Sequence, residues 1–284
     1  MIVSDYRYER PATLPTLLEL AAQEGAKLLA GGTDLLLVMR EERVSPTLVV
    51  DVKAVEELRG IYPTQDGLFI GAAEPAQAVV EHPLTQVYQA LVEGAGHIGC
   101  YEIRQRATIG GNICNGSPSA DSLPGLLLYD ADVHLVSLQA ERVIPLERFL
   151  LGPGKVDLRA GEVLKGVLLK TPPEGSKSKY YRRSRVKGMD LSGISAGVYC
   201  EGLQNFRIAL GAAWPTVARA RKAEEILNSA PYSGHLLEEA VAAIVNEISP
   251  RSSSMRASPE YKKEMIPVLI KMAIEEMNRG VLNA

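Results

Sequence analysis

The stretch LLAGGTDLLL, residues 28–37, predicts a strand, a turn and a helix in the first part of the chain. A short apolar strand is followed by a Gly-Gly break and then by the start of a helix, for which Thr33 and Asp34 are candidate N-caps. Glycine has no Cβ, so successive backbone N–H groups can point into one small volume. N–H groups that cluster ahead of a helix form a site for a phosphate or pyrophosphate.

A second glycine pair lies in ATIGGNICNGSPSADS, residues 107–122, and the pattern after it indicates a polar loop. Two such loops would grip a dinucleotide from both sides without a lysine. Each pair alone also fits a tight turn, and neither matches G-x-G-x-x-G or G-x-x-x-x-G-K-[ST], which disfavours a Rossmann or P-loop site. We expect valine at Gly32 or Gly111 to weaken binding of the dinucleotide, because a β-branched side chain is disfavoured at φ > 0.

The two glycine motifs and their neighbours resemble a known family. AGGTDLL (30–36), TIGGN (108–112) and an aspartate nine residues after that asparagine look like the FAD-binding (medium) subunits of the xanthine dehydrogenase and carbon monoxide dehydrogenase family of molybdenum hydroxylases. Nicotinate dehydrogenase FAD subunits and 4-hydroxybenzoyl-CoA reductase β subunits are similar. RRSRVKGMDLSGISAGV (182–198) and ASPEYKKEMIPVLIKMAIEEM (257–277) resemble the last domain of these subunits, so the resemblance covers essentially the whole chain.

The resemblance implies an α+β fold in two domains. Residues 1–174 would form a two-part FAD-binding domain of the vanillyl-alcohol oxidase/MurB type, with subdomains at about 1–55 and 56–174. Residues 175–284 would form a smaller α+β domain. The segment Lys170–Lys179, with its Pro-Pro, Gly and Ser residues, is the best boundary signal in the chain.

Residues that would contact FAD follow from the resemblance position by position. The first loop would wrap the pyrophosphate and the second would close on the other side; their residues are Leu28, Leu29, Ala30, Gly31, Gly32, Thr33, Asp34 and Leu35, then Thr108, Ile109, Gly110, Gly111 and Asn112. Asp121 matches an acidic FAD contact; a carboxylate would repel the pyrophosphate, so we expect it to accept hydrogen bonds from ribityl or ribose hydroxyls. Its alternative role is to cap the helix that follows.

Three further positions align with family contacts, and a fourth is an alternative. Ile98 matches an apolar flavin neighbour, and Leu164 and Arg182 match other contacts. Lys187 is a basic alternative to Arg182. Core packing or surface service explains each of these residues as well as flavin contact does.

Periodicity and turn residues predict the remaining elements. Predicted helices are 13–21, 35–40, 84–95, 123–129, 217–227, 235–248 and 260–278, and predicted strands are 27–30, 47–51, 68–72, 132–138, 162–170, 194–200 and 206–213. Residues 98–122 read as one loop, and 249–258 as an exposed linker.

Composition excludes several classes of protein. The chain has 284 residues, 46% of them hydrophobic, and a net charge of −3, so it has no overall basic field to attract nucleic acid. It has no apolar run of the roughly 18 residues that a spanning helix needs, and its N-terminus has no secretion-signal pattern, so a cytoplasmic location without membrane contact is expected. Cys100, Cys114 and Cys200 lie too far apart for a cluster motif, so no metal site is expected.

The function implied by the resemblance is electron transfer through non-covalently bound FAD. The flavin would pass electrons from 2Fe–2S clusters of a small partner subunit to NAD+ or another acceptor, and a large partner subunit would carry molybdopterin and bind the substrate. No residue of this chain would act on that substrate. The alternatives are a self-contained flavin oxidoreductase of the MurB type and a scaffold subunit with a vestigial flavin site.

Overall fold

The computed structural model describes residues 5–251 and 256–279. Residues 252–255, which are part of the predicted linker, lie outside the described residues. Residues 1–4 also lie outside them; they belong to the N-terminal segment in which the sequence predicts no secretion signal. Nowhere in the two described ranges is there a helix long and apolar enough to cross a membrane.

The first sheet is parallel, with the strand order β1-β3-β2. Its strands are β1 (Arg7–Glu9), β2 (Ala26–Leu29) and β3 (Leu48–Asp51), and the helices α1 (Leu14–Ala21) and α2 (Leu35–Arg40) connect them. All four residues of β3 are buried, because β3 lies between two neighbours and under a helix. Residues 30–34 therefore emerge at the carboxyl edge of a parallel sheet, where ligands commonly bind.

The second sheet is antiparallel and follows in the chain, with the order β4-β5-β10-β6-β7. Its strands, together with a separate β8-β9 hairpin, are β4 (Ile61–Pro63), β5 (Leu68–Gly71), β6 (Asp132–Val136), β7 (Glu141–Pro145), β8 (Leu150–Gly152), β9 (Lys155–Val156) and β10 (Val163–Leu169). The helices of this region are α3 (Ala76–Glu81), α4 (Gln89–Gly96), α5 (Tyr101–Arg104), α6 (Ile109–Asn115), α7 (Ser122–Leu128) and α8 (Leu146–Phe149). α6 packs against β5 and β10, so the second glycine motif lies on this sheet.

The C-terminal part is an antiparallel meander covered on both faces. Its strands are β11 (Ser176–Arg183), β12 (Ile194–Glu201), β13 (Gln204–Gly211) and β14 (Ala218–Arg219), and its helices are α9 (Arg221–Leu227), α10 (Gly234–Glu247) and α11 (Pro259–Asn278). α4 and α7 pack against this sheet from the preceding part of the chain, while α9 and α11 also contact it. This double coverage explains why β12 is a continuous run of buried residues from Ile194 to Cys200.

Several predicted elements are wrong in detail. The predicted loop 98–122 contains the helices α5 and α6, and the predicted helix 84–95 begins only at Gln89 because residues 83–85 form a separate 3-10 turn. Val217 begins no helix: residues 218–219 pair with β13 before α9 starts. The strands β1, β4, β7, β8 and β9 and the helices α3 and α8 were not predicted, because runs of two to six residues carry almost no periodicity. β11 was not predicted either, because the serine, lysine and arginine residues of Ser176–Arg183 give no apolar alternation.

A partly buried ion-pair network joins β7 to the start of β10. The Arg142 guanidinium donates to both carboxylate oxygens of Glu162, at 2.7 and 2.8 Å, and to Asp157 at 2.8 Å. The hydrogen bonds from Arg142 hold the pKa of each carboxyl below its ordinary value. A carboxyl whose pKa is lowered by folding stabilises the fold above its unfolded pKa and loses that contribution as the pH falls.

We therefore expect the melting temperature to fall as the pH drops below about 4.5, where Glu162 and Asp157 begin to take up protons in the unfolded chain. Arg142→Met removes the cation, so its melting temperature should be lower at neutral pH and change less between neutral and acidic pH. Differential scanning calorimetry of both proteins across that range measures the effect. Parallel pH profiles would contradict the assignment.

Candidate cofactor site

The first glycine loop presents unused backbone donors. Gly32 has φ +77°, a conformation that side chains with a Cβ rarely adopt, as expected from the sequence. None of the N–H groups from Gly31 to Asp34 donates a hydrogen bond to another residue that the structure describes. Residues 31–33 are half-buried and Asp34 is exposed, so these donors lie near the surface. Four adjacent unsatisfied N–H groups at the carboxyl edge of a parallel sheet suit an anionic ligand.

Gly31 is required for a different reason. A Cβ on Gly31 would lie 2.1 Å from the carbonyl oxygen of Arg106, so the two motifs pack with backbone against backbone. Neither Thr33 nor Asp34 caps α2; the Asp34 carboxylate instead accepts a hydrogen bond from Asn115 at 3.2 Å, across the two motifs. The structure therefore brings the two glycine motifs together, although 81 residues separate these two side chains.

The second glycine motif is the first turn of α6 rather than a loop. Its N–H groups are used within the protein: Ile109 donates to Glu74, Gly110 to Ala72, and Gly111 to the capping Thr108 hydroxyl at 3.0 Å. The interpretation of this motif as a second set of free N–H donors is therefore wrong.

The expected positive φ at Gly111 is also wrong, because Gly111 lies within the helix. Gly110 is needed because a Cβ would lie 2.5 Å from the Ala72 carbonyl oxygen. A Cβ on Gly111 would lie 2.9 Å from the Thr108 hydroxyl that caps the helix and 3.9 Å from the Ala30 Cβ. Gly111 is exposed and faces the first loop. This segment therefore offers a ligand a close-fitting surface and polar side chains such as Asn112, rather than free N–H groups.

Asp121 lies at the centre of a buried polar network. Its side chain does not cap α7, so the capping alternative is wrong. One oxygen accepts from Tyr180 at 2.5 Å and from Ser192, and the other accepts from Arg182 at 3.1 Å. Burial raises the pKa of the Asp121 carboxyl, while the Ser192 and Tyr180 hydroxyls and the Arg182 guanidinium oppose that rise. The oxygen that faces Arg182 keeps room for one more donor.

Arg182 connects this network to a cavity of about 780 Å³. Its guanidinium also donates to the carbonyls of Asp190 and His97, at 3.1 and 3.5 Å, which places it beside half-buried Ile98. The cavity walls include Lys179, Arg183, Arg185 and the exposed Lys187 together with Glu93. Lys179 pairs with Glu93 and Glu276, and Arg185 pairs with Asp190, but cations still outnumber carboxylates in the lining.

The remaining predicted contacts lie deeper in the molecule. Leu164 is 4% exposed, in register with Leu135 of β6, and Ile109 is 0% exposed; both belong to the core around the second sheet. Thr108 is buried as the helix cap. The structure therefore brings Gly31–Asp34 and Gly111 together at the surface and places Leu164 and Ile109 among the core side chains. Asn112 is half-buried, and its amide oxygen accepts from Ser122 at 2.6 Å.

Two residues of the network were missed from the sequence. Tyr180 and Arg182 are two residues apart on β11, so both side chains lie on one face of the strand. This spacing was a usable signal in the sequence. Ser192 had no such signal. Among the described residues, no cluster of His, Cys, Asp or Glu could hold a metal ion, and burial raises the pKa of the Cys114 thiol to about 12, which makes it unreactive.

Comparisons with known proteins agree along the chain. Residues 4–171 match the family model of the FAD binding domain in molybdopterin dehydrogenase, and residues 179–277 match the CO dehydrogenase flavoprotein C-terminal domain. The xanthine dehydrogenase FAD-binding subunit of Escherichia coli is 37% identical over 279 residues, 95% of this chain and 94% of that protein. The nicotine 6-hydroxylase medium subunit of Paenarthrobacter nicotinovorans is 28% identical over 273 residues, 95% of this chain and 96% of that protein.

A solved structure supports the same assignment. Carbon monoxide dehydrogenase from Hydrogenophaga pseudoflava superposes with a TM-score of 0.91 at 28% identity, covering 97% of this chain and 98% of that chain. The predicted α+β fold, an FAD-binding domain followed by a smaller C-terminal domain, is confirmed. The chain thus belongs to the family of FAD-binding medium subunits of molybdenum hydroxylases that includes xanthine dehydrogenase and carbon monoxide dehydrogenase.

Proposed function

We propose that this chain carries non-covalently bound FAD in a cytoplasmic molybdenum hydroxylase complex. In that complex, electrons would come from 2Fe–2S clusters of a small subunit and leave to NAD+ or another acceptor, while a large subunit holds molybdopterin. We also propose a division into an FAD-binding domain, 1–174, with subdomains at about 1–55 and 56–174, and a C-terminal domain, 175–284. The ranges of the two family models and the separation of the three larger sheets support this division.

The observation that carries the proposal is the row of free N–H groups from Gly31 to Asp34 in a chain that matches FAD-binding subunits over nearly its whole length. These donors suit a pyrophosphate, and a Cβ at Gly32 would crowd the same loop. Bound FAD supplies electron transfer in steps of one or two electrons. The chain's own residues would position it: Gly111 lies beside the first loop, Asn112 would offer its amide N–H groups while its oxygen accepts from Ser122, and Asp121 offers an acceptor for a hydroxyl group.

The cavity beside His97 and Ile98 is the proposed binding site for the electron acceptor. Its lining is rich in lysine and arginine, which attract the phosphates of a dinucleotide such as NAD+. Burial and the charge of Arg182 lower the pKa of His97, so its imidazole is neutral at neutral pH and adds no charge of its own. Arg182 is paired with Asp121, Lys179 with Glu93 and Glu276, and Arg185 with Asp190. Among the described residues, Arg183 and Lys187 are the lining cations that form no ion pair, so they are the ones left to meet an anion.

A partner surface is proposed on the loop between β11 and β12. Val186, Met189 and Leu191 are 56%, 67% and 47% exposed, close together in the chain and beside the cationic cavity. Neighbouring apolar side chains of this exposure are typical of protein–protein contacts. This loop would be covered in the complex.

The proposal is tested by purifying the complex through an affinity tag on this chain in its native source. We expect an iron–sulfur subunit and a molybdopterin subunit to co-purify in fixed ratio, with one FAD per copy of this chain that acid releases unmodified. Metal analysis, subunit mass spectrometry and flavin chromatography measure these quantities. A chain that purifies alone and reduces a substrate of its own would establish the self-contained alternative, and a flavin that stays attached after denaturation would contradict non-covalent binding.

A further inference from the structure

Lys262 is a buried cation without a carboxylate. It is 3% exposed, lies in the first turn of α11, and forms no ion pair with another residue in the described ranges. Its ammonium donates at 3.0 Å to the carbonyl oxygen of Ala212. A buried lysine without an anionic partner is rare, because loss of hydration strongly disfavours the charged form.

The electrostatic surroundings make this position still less favourable for a cation. Burial, together with the positive charges of Arg251 and Arg256, lowers the pKa of Lys262. The first turn of a helix is also the positive end of its dipole. A residue kept where it destabilises the fold commonly serves function instead.

The hydrogen bond from Lys262 leads directly to the cofactor domain. Ala212 is one of the few residues other than glycine with a positive φ, +58°, and its N–H donates to the Pro118 carbonyl at 2.6 Å. Pro118 lies in the segment 116–121, which begins after α6 and ends at Asp121. The C-terminal part therefore binds this segment at two points. Ala212, which Lys262 holds, donates to Pro118, and Tyr180, Ser192 and Arg182 donate to Asp121.

We propose that Lys262 is a positioning residue for the FAD site: it holds Ala212 in its left-handed conformation, and Ala212 in turn fixes the segment 116–121 that carries Asp121. The inference rests on the proposed function and, of the two ligands expected for Asp121, takes the ribityl hydroxyls on the flavin half of FAD. It concerns the flavin half alone. The phosphates would be held by the first glycine loop, which Lys262 does not approach through this chain of bonds.

The test is Lys262→Met in the full-length chain, with Lys263→Met as control. Met has a similar length and no charge, so it removes the bond to Ala212 without leaving a buried ion, and apolar replacement of buried charge is often neutral or stabilising. Lys263 is the exposed neighbour on the same helix turn. We expect Lys262→Met to melt at the same or a higher temperature, to bind FAD about tenfold more weakly, and to bind ADP, which offers only the pyrophosphate half, as the unmodified chain does. Lys263→Met should change neither affinity.

Each other outcome is decisive. Unchanged FAD affinity, or equal loss of FAD and ADP affinity, overturns the positioning role, as does a fall in melting temperature with normal FAD affinity. If the unmodified chain binds no FAD, the proposed function fails rather than this inference. Should Lys262→Met not fold, Lys262→Gln, whose amide is too short to reach Ala212, serves for the same comparison.

Discussion

Replacing Gly32 with valine is expected to weaken FAD binding by a factor of roughly 10²–10⁴. At φ +77° a β-branched side chain is strained, and its Cβ would lie 3.1 Å from Leu29 and Leu36 side chains. The loop would have to change conformation, which would turn away the free N–H groups from Gly31 to Asp34. Two lost charge-assisted hydrogen bonds at about 1.5–3 kcal/mol each account for this factor. Fluorescence titration of the apoprotein with FAD measures it.

Gly175→Val is the matched control for this prediction. Gly175 has φ +81°, and a Cβ there would meet nothing within 4 Å, so valine brings the same backbone strain at an exposed turn in the segment between the two domains. Its melting temperature should fall by an amount similar to that of Gly32→Val, while its FAD affinity stays normal. If Gly32→Val binds FAD as tightly as Gly175→Val and the unmodified chain do, the first glycine loop is only a tight turn.

Replacing Asp121 with asparagine is expected to lower the melting temperature by about 6–12 °C. The change leaves the Arg182 guanidinium, whose side chain is 10% exposed, without a counter-ion in the protein interior. Removing one partner of a buried ion pair costs about 3–5 kcal/mol, and the low end applies here because Arg182 keeps two carbonyl acceptors. For a chain of this size about 1 kcal/mol corresponds to roughly 2–4 °C. Calorimetry of the apoprotein measures the shift.

Two comparisons isolate the buried charge as the cause. The double variant Asp121→Asn/Arg182→Met removes both charges and should recover part of the loss. Glu147→Gln removes the carboxylate of a surface pair with Arg221, in which the two side chains are 38% and 52% exposed, and should shift the melting temperature by no more than about 2 °C. A double variant less stable than Asp121→Asn alone would show that Arg182 packs favourably without its partner.

Features that depend on local chemistry could be predicted from the amino-acid sequence. The apolar run of β12, the strand-glycine-helix pattern around Gly32 and its positive φ could all be predicted, because each depends on the residue and its near neighbours. The overall division into an FAD-binding domain and a smaller C-terminal domain could be predicted too, since the motif resemblance covers the whole chain.

The hydrogen-bond partners of the remaining polar groups could be found only from the folded chain. The N–H groups of the second glycine motif look free in the sequence, yet carbonyls of Glu74 and Ala72, more than 30 residues earlier in the chain, accept from Ile109 and Gly110. Asp121 reads as a helix cap or a hydroxyl contact, but its hydrogen-bond partners lie 59 and 71 residues away. Packing inside the FAD-binding domain sets the first pair of partners, and packing of the C-terminal domain on it sets those of Asp121. A buried polar group takes whichever donor or acceptor that packing brings to it. No periodicity along the chain records this choice.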